Sequence, residues 1–366
     1  MKILLVITKA EIGGAQSFVL ALSKGLIARG DEVAIAFGEG EFLEKKALEA
    51  GIAVFKLVNL KRSDNPIRTM SFIRELKRLI DREEFDIVHL NSSNTLAGVL
   101  AAKLSRSKPK TVFTVHGLSV LDANYQAGFF VKSAYHLLFS FFLRMIDSVI
   151  FVSQHNCQEA KRIGIVKGGH LIYNGIDVPM GHFLSKEEAR GLLSEKAGKD
   201  LSQSWLIGSV GRLAYPKNYE LLIRLFPQIK LIIPEAKGVI IGEGPERQKY
   251  EKIIKENDLA DDFFLVGEIE EAGRLVQALD VFVLPSLYEG LSISLIEAAS
   301  AGVCCVASDV GGNREVIGQS NCFSLADASQ IVSKVISSKK QKVDVTIFSS
   351  AKMVEEYVKV YNQLSH

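Results

Sequence analysis

Short apolar runs separated by helical stretches with apolar residues every three or four positions fill the first half of the chain, stop, and begin again. Strands that alternate with helices pair in parallel, because each crossover needs a dozen or more residues, and such chains form doubly wound sheets. The predicted strands of the first half are Lys2–Thr8, Glu32–Phe37, Ala53–Leu57, Asp86–Leu90, Thr111–His116, Ser148–Val152 and His170–Tyr173. The polar, Gly- and Lys-rich stretch from Met180 to Ser204 carries few core signals and marks a boundary. Beyond it, Leu206–Val210, Gly238–Ile241, Phe263–Val266, Val281–Leu284, Val303–Ala307 and Asn321–Ser324 form a second set. The expectation is two Rossmann-like doubly wound domains, 1–178 and 179–346, facing a central cleft. A C-terminal helix over 347–366, with Val354, Tyr357, Val358 and Tyr361 on one side, is expected to pack back toward the first domain.

Charge is unevenly spread. Residues 1–175 hold 23 Lys and Arg against 16 Asp and Glu, a net of +7, whereas the remainder holds 21 against 26, a net of −5. A basic first half suits an acidic partner such as a diphosphate-linked acceptor or an anionic lipid surface. Four cysteines (Cys157, Cys304, Cys305, Cys322) lack CxxC or metal-ligand spacing, so neither disulfides nor a metal site is expected. The start, MKILLVITKAE, is too short in apolar residues for a signal segment, and no run approaches bilayer-spanning length. A cytoplasmic protein is expected, possibly at the inner face of the membrane. One segment departs from the alternation: Phe129 to Ile146 is crowded with aromatic residues and has Lys132 and Arg144 near its ends. It reads either as core or acceptor-pocket lining, or as an amphipathic helix at a membrane interface.

The chemistry-bearing residues cluster where strands end. Gly13 and Gly14 follow the first strand and let backbone approach a ligand, but GxGxxG is absent, which disfavours a nicotinamide dinucleotide site. His116 ends a strand before a glycine and is aimed at a ligand crevice. Arg212 and Lys217 leave one strand end together and can converge on a diphosphate. Gly242 and Glu268 follow the next two strands, where a nucleotide and its base would lie. Glu289, Gly290, Leu291 and Ser292 form a turn between a strand and a helix N-terminus, a ready anion site. Glu297 lies about two turns further on. Carboxylates beside an anion site suit a ligand with both phosphates and hydroxyls, such as a nucleotide sugar.

The run from GGAQSFVLALSKGLIARGDEV through THG, VSQHN, YNGID, GRLAYPKN and GEGPER to the PSLYEG…EAASAG…GGNRE block resembles glycosyltransferase family 4, the retaining GT-B enzymes, over nearly the whole chain. The resemblance implies a retaining, metal-independent hexosyl- or N-acetylhexosaminyl-transferase that uses no cofactor. Its donor would be a nucleotide-diphosphate sugar, with UDP favoured, and its acceptor a glycan or lipid-linked hydroxyl in bacterial envelope or polysaccharide synthesis, not a nucleic acid. It further implies that Arg212 and Lys217 bind the donor diphosphate and Glu289 the sugar hydroxyls. The backbone at Gly290, Leu291 and Ser292 would cap the phosphate, and Glu297 would bind the ribose. His116 would sit beside the transferred sugar, and Gly14 would approach the phosphates on domain closure. Ser292 departs from the usual proline. The rivals are a nucleotide-sugar 2-epimerase or hydrolase on the same fold and a two-domain sugar-binding protein.

Overall fold

The structure, a computed structural model, describes residues 1–62, 65–177, 181–327, 329–338 and 344–365. The chain divides into two compact units, Met1–Asp177 with Thr346–His366, and Val178–Val345. The junction expected at 178/179 lies outside the described residues.

The first unit alternates β1 (Lys2–Lys9), α1 (Gly14–Ala28), β2 (Glu32–Glu39), α2 (Phe42–Glu49), β3 (Ala53–Lys56), α3 (Pro66–Glu83), β4 (Ile87–Leu90), α4 (Gly98–Leu104), β5 (Lys110–Val115), α5 (Phe129–Leu143), β6 (Ser148–Phe151), α6 (Gln154–Arg162) and β7 (His170–Leu171). All strands run parallel in the order β3-β2-β1-β4-β5-β6-β7. The central strands are buried on both faces, as parallel sheets covered by helices must be. Leu4 and Val6 of β1 point into one core with α3 to α6, while Ile3, Leu5 and Ile7 point into the other with α1 and α2. This is the period-2 side-chain alternation of a strand.

The second unit contains α7 (Lys186–Ala197), β8 (Trp205–Val210), α8 (Tyr219–Ile232), β9 (Ala236–Ile241), α9 (Arg247–Glu256), β10 (Phe263–Leu265), β11 (Val281–Leu284), α10 (Ile293–Ser300), β12 (Cys304–Ser308), α11 (Asn313–Ile317), β13 (Cys322–Phe323) and α12 (Gln330–Ser337). Its parallel order is β10-β9-β8-β11-β12-β13. In both sheets the order reverses beside the first strand, between β1 and β4 and between β8 and β11. Ligands of open α/β sheets bind at that reversal, outside the carboxyl ends of the strands.

The last helix, α13 (Ser350–Ser365), starts three residues later than the sequence suggests, because Val345–Phe348 turns as a 3-10 helix first. It joins α1 and α2 over one face of the first sheet, burying Met353, Tyr357 and Tyr361 there. The chain leaves and re-enters this unit at one point: Ile176 pairs with Ser349, its N–H donating to the Phe348 carbonyl at 2.8 Å. Tyr361 and Tyr357 also carry hydroxyls into the core. The Tyr361 hydroxyl meets His89 Nδ1 at 2.7 Å, His89 Nε2 meets Thr114 Oγ1 at 2.7 Å, and Thr114 Oγ1 meets the Tyr357 hydroxyl at 2.9 Å. Burial holds His89 well below the ordinary histidine range, so this ring is neutral and needs one donor and one acceptor. Tyr361→Phe leaves a buried ring nitrogen without its partner and is expected to cost about 1–3 kcal/mol in urea unfolding. Tyr357→Phe leaves Thr114 still bonded to His89 and is expected to cost less, about 0.5–1.5 kcal/mol.

Candidate active site

The carboxyl end of β8 runs into Gly211 and Arg212 and then the 3-10 turn Tyr215–Lys217, while the adjacent β11 runs into Pro285–Leu291 and α10. Two hydrogen bonds clamp these connections together. The Leu287 N–H donates to the Pro216 carbonyl at 2.8 Å, and Asn218 Nδ2 donates to the Pro285 carbonyl at 3.2 Å. Asn218 holds φ +51°, a left-handed conformation that asparagine tolerates. The clamp sets Lys217 opposite Glu289. Lys217 Nζ donates to Glu289 Oε1 at 2.7 Å, and Ser286 Oγ donates to the same oxygen at 2.7 Å. Both charged side chains are mostly buried, at 21% and 13% exposure, so their attraction is weakly screened.

Behind this pair, Gly311 at φ +51° packs on the turn so closely that a Cβ would lie 2.3 Å from the Glu289 carbonyl oxygen. The Gly312 N–H donates to the Gly290 carbonyl at 2.8 Å. At Gly311 the close approach is therefore to the protein's own backbone. Ser292 is the N-cap of α10, its hydroxyl accepting from the Leu295 N–H at 3.4 Å.

Glu297 is the fifth residue of α10, one turn inside it rather than two. Burial alone pushes its carboxyl up to about 7. Gly273, in the 3-10 turn Ala272–Ala278, makes room for it: a Cβ there would stand 2.5 Å from each carboxylate oxygen.

Residues 12–179 match the profile of Glycosyltransferase Family 4, and residues 194–356 that of Glycosyl transferases group 1. An Escherichia coli UDP-Gal:alpha-D-GlcNAc-diphosphoundecaprenol alpha-1,3-galactosyltransferase is 30% identical over 274 residues, 73% of this chain and 68% of that protein. The chain is a family 4 glycosyltransferase. Another relative of the enzyme, an E. coli O-antigen biosynthesis glycosyltransferase, is 24% identical over all of this chain and 99% of its own. In fold the enzyme resembles Anabaena HepE, crystallised with UDP and glucose, with a TM-score of 0.75 and 18% identity over 99% of this chain and 95% of that one. Sucrose-phosphate synthase from Thermosynechococcus elongatus matches with a TM-score of 0.76 and 20% identity over 100% and 96%. The architecture is GT-B.

Of the residues singled out from the sequence of this glycosyltransferase, the structure joins Lys217 to Glu289 directly and puts Gly290, Leu291 and Ser292 in the same turn. Arg212 lies exposed at the end of β8. Gly242 follows β9 and donates its N–H to the Gly267 carbonyl at 2.8 Å, with Glu268 exposed beyond it. His116, Gly13 and Gly14 belong to the other unit. Gly13 is the N-cap of α1 and Gly14 its first residue. His116 follows β5 and packs edge-on against Phe18 at 4.8 Å. Its Nε2 is buried without a hydrogen-bond partner, and burial lowers its pKa to about 4. Near neutral pH it is an uncharged hydrogen-bonding group, not a proton donor of histidinium type. The sequence reading missed Asn218, Ser286 and Gly273. Asn218 and Ser286 stand one and three residues from called positions; Gly273 carried no local signal.

Gly273→Ala crowds the Glu297 carboxylate and is expected to destabilise the folded protein by about 1–3 kcal/mol in urea unfolding. Glu297 also ties stability to pH. Its folded pKa near 7 exceeds the unfolded value of about 4.3, so its contribution is full below that lower value and is lost as pH rises through about 7. Glu297→Gln is expected to match the wild type at pH 4.5. At pH 8 it should be more stable by about 1–3 kcal/mol, read by urea unfolding of the ligand-free protein.

Proposed function

We propose that the enzyme transfers a hexosyl or N-acetylhexosaminyl group from a UDP-sugar to a hydroxyl of a lipid-linked or glycan acceptor in bacterial envelope synthesis, with anomeric configuration retained. The observation that carries this reading is the Lys217–Glu289 pair at the sheet reversal, beside the N-terminus of α10. A lysine ammonium has three donors, so it can hold a phosphate oxygen while still contacting Glu289. Arg212 and the amide end of α10 add positive potential where the leaving diphosphate gathers charge. The acceptor O–H would attack the anomeric carbon on the face from which the diphosphate departs. The C–O bond to phosphate breaks, and the acceptor proton passes to the released phosphate oxygen.

No protein nucleophile takes part in this scheme. Glu289 Oε1 is already engaged by Lys217 and Ser286, which suits a carboxylate that orients sugar hydroxyls. Glu297 would accept from the ribose hydroxyls, and the neutral His116 would bond a sugar hydroxyl. Neutralisation of the diphosphate by side chains supports metal independence, which undiminished turnover in EDTA tests. The E. coli relative named for a UDP-Gal donor and a diphosphoundecaprenol-linked acceptor supports the donor and acceptor classes.

Turnover of a radiolabelled UDP-sugar, with the product anomer read by NMR, tests the reading. Lys217→Ala is expected to lower kcat/KM about 10²–10³-fold, as loss of a preorganised charge-stabilising donor does. Glu289→Gln keeps the shape, loses the charge, and should reduce turnover with diphosphate affinity largely retained. Transfer at the wild-type rate by both variants would refute the assignment. Release of free sugar or an epimer without acceptor dependence would instead support the hydrolase or 2-epimerase reading.

A further inference from the structure

Helix α5 leaves one side uncovered along its whole length. Phe139, Phe142 and Leu143 enter the core, whereas Phe130, Leu137, Leu138 and Phe141 are exposed. Ala134 lies four residues after Phe130, Leu137 and Leu138 three and four after Ala134, and Phe141 four and three after those two, so they share one stripe, flanked at the N-terminus by exposed Phe129. Phe129 and Phe130 are 79% and 86% exposed. The helix contains no Asp or Glu, and the exposed Arg144 falls at the end of the stripe. The surrounding sequence is strongly basic: residues 98–167 carry nine Lys and Arg against three Asp and Glu, a net of +6 in a chain whose total is +2. Some of these cations lie beside α5. His136 of α5 bonds the Ile163 carbonyl at 2.7 Å, which brings the C-terminal end of α6, with Lys161 and Arg162, alongside. Lys103 pairs with Asp147 just beyond the other end at 3.0 Å.

We infer that α5 is an interfacial anchor that lays its Phe130–Phe141 stripe into an anionic lipid bilayer, with the basic residues around it held against the headgroups. An uncharged aromatic stripe bounded by cations has the composition of an in-plane interfacial helix. At 15 residues it is too short to span the hydrocarbon core, and no described helix is long and apolar enough to cross a membrane. A second copy seated on this face would set one net-positive surface against another, which disfavours self-association.

The orientation of the helix also connects it with the chemistry. In a parallel sheet the crossover helix runs antiparallel to its strands, so the N-terminus of α5 lies at the carboxyl edge, where β5 releases His116. Phe129 and Phe130 therefore meet the bilayer at the edge that carries His116. This last step rests on the glycosyl-transfer reading and would bring a membrane-held acceptor to that edge; the docking itself does not depend on it.

The test is co-sedimentation of the full chain, without donor, on vesicles of phosphatidylglycerol with phosphatidylethanolamine and on vesicles of phosphatidylcholine. Binding to the anionic vesicles is expected, at least tenfold tighter than to the neutral ones and weakened by salt. The double variant Phe130→Asp/Leu137→Asp alters only exposed positions. It is expected to lose vesicle binding at least tenfold while keeping the wild-type unfolding curve and UDP affinity. Arg144→Glu should weaken binding to the anionic vesicles alone. Failure of the wild type to sediment with anionic vesicles, or equal binding by the double variant, overturns the inference. So does concentration-dependent dimerisation that the double variant abolishes. Because no sugar transfer is measured, these outcomes are separate from failure of the proposed reaction.

Discussion

One ion pair organises the second unit's ligand-binding edge: Lys217 on Glu289 at 2.7 Å, between the carboxyl ends of two strands that are neighbours in space and distant in sequence. Two backbone-directed hydrogen bonds hold the connections in register, and Ser286 donates to the same carboxylate oxygen as Lys217. A mostly buried pair of this kind contributes little net stability, since desolvation offsets most of the attraction. Its value is positional. The ammonium and the carboxylate are held in one fixed arrangement, which under the proposed reaction would leave little reorganisation when the donor arrives.

Glu297 is the opposite case. It is half-buried against Gly273, whose missing Cβ leaves it room, and desolvation raises its pKa to about 7, so ionising it opposes folding near neutral pH. A residue that destabilises its own fold is retained where a ligand relieves the cost. Hydroxyl groups donated by a bound ribose would do so, returning as binding energy what the empty site gives up.

Much of this was legible in the sequence, for a physical reason. Parallel strands buried on both faces must be continuous apolar runs, so Val281–Leu284 was read to the residue and the other strands to within two residues at either end. The turn that leads from β11 into α10 was legible because turn chemistry is local. What escaped was set by tertiary approach. The room at Gly273 depends on a carboxylate 24 residues away, and nothing around Gly273 signals it. The start of α13 was misread because apolar periodicity cannot tell the 3-10 turn at Val345–Phe348 from the first turn of the helix. The aromatic helix was left open between core and interface because periodicity names a stripe but not what covers it. The structure divides α5 between the two, with Phe139 inside and Phe130 outside.

The return of the chain to its first unit explains why the C-terminal helix carries tyrosines where aliphatic residues would pack as well. Thr114 and His116 alternate along the same strand end, two residues apart, and so emerge on the same side of the sheet. Phe18 touches both His116, at 4.8 Å, and Tyr357, at 5.4 Å between ring centroids. Tyr357 in turn bonds Thr114, and Tyr361 bonds His89. A purely apolar α13 would leave His89 Nδ1 without its partner, at a cost of about 1–3 kcal/mol, and Thr114 with His89 alone. The chain of hydroxyls removes that cost and fixes the rotamers around Phe18, the ring on which His116 rests. The last helix therefore braces Phe18, the ring against which His116, encoded more than two hundred residues earlier, packs.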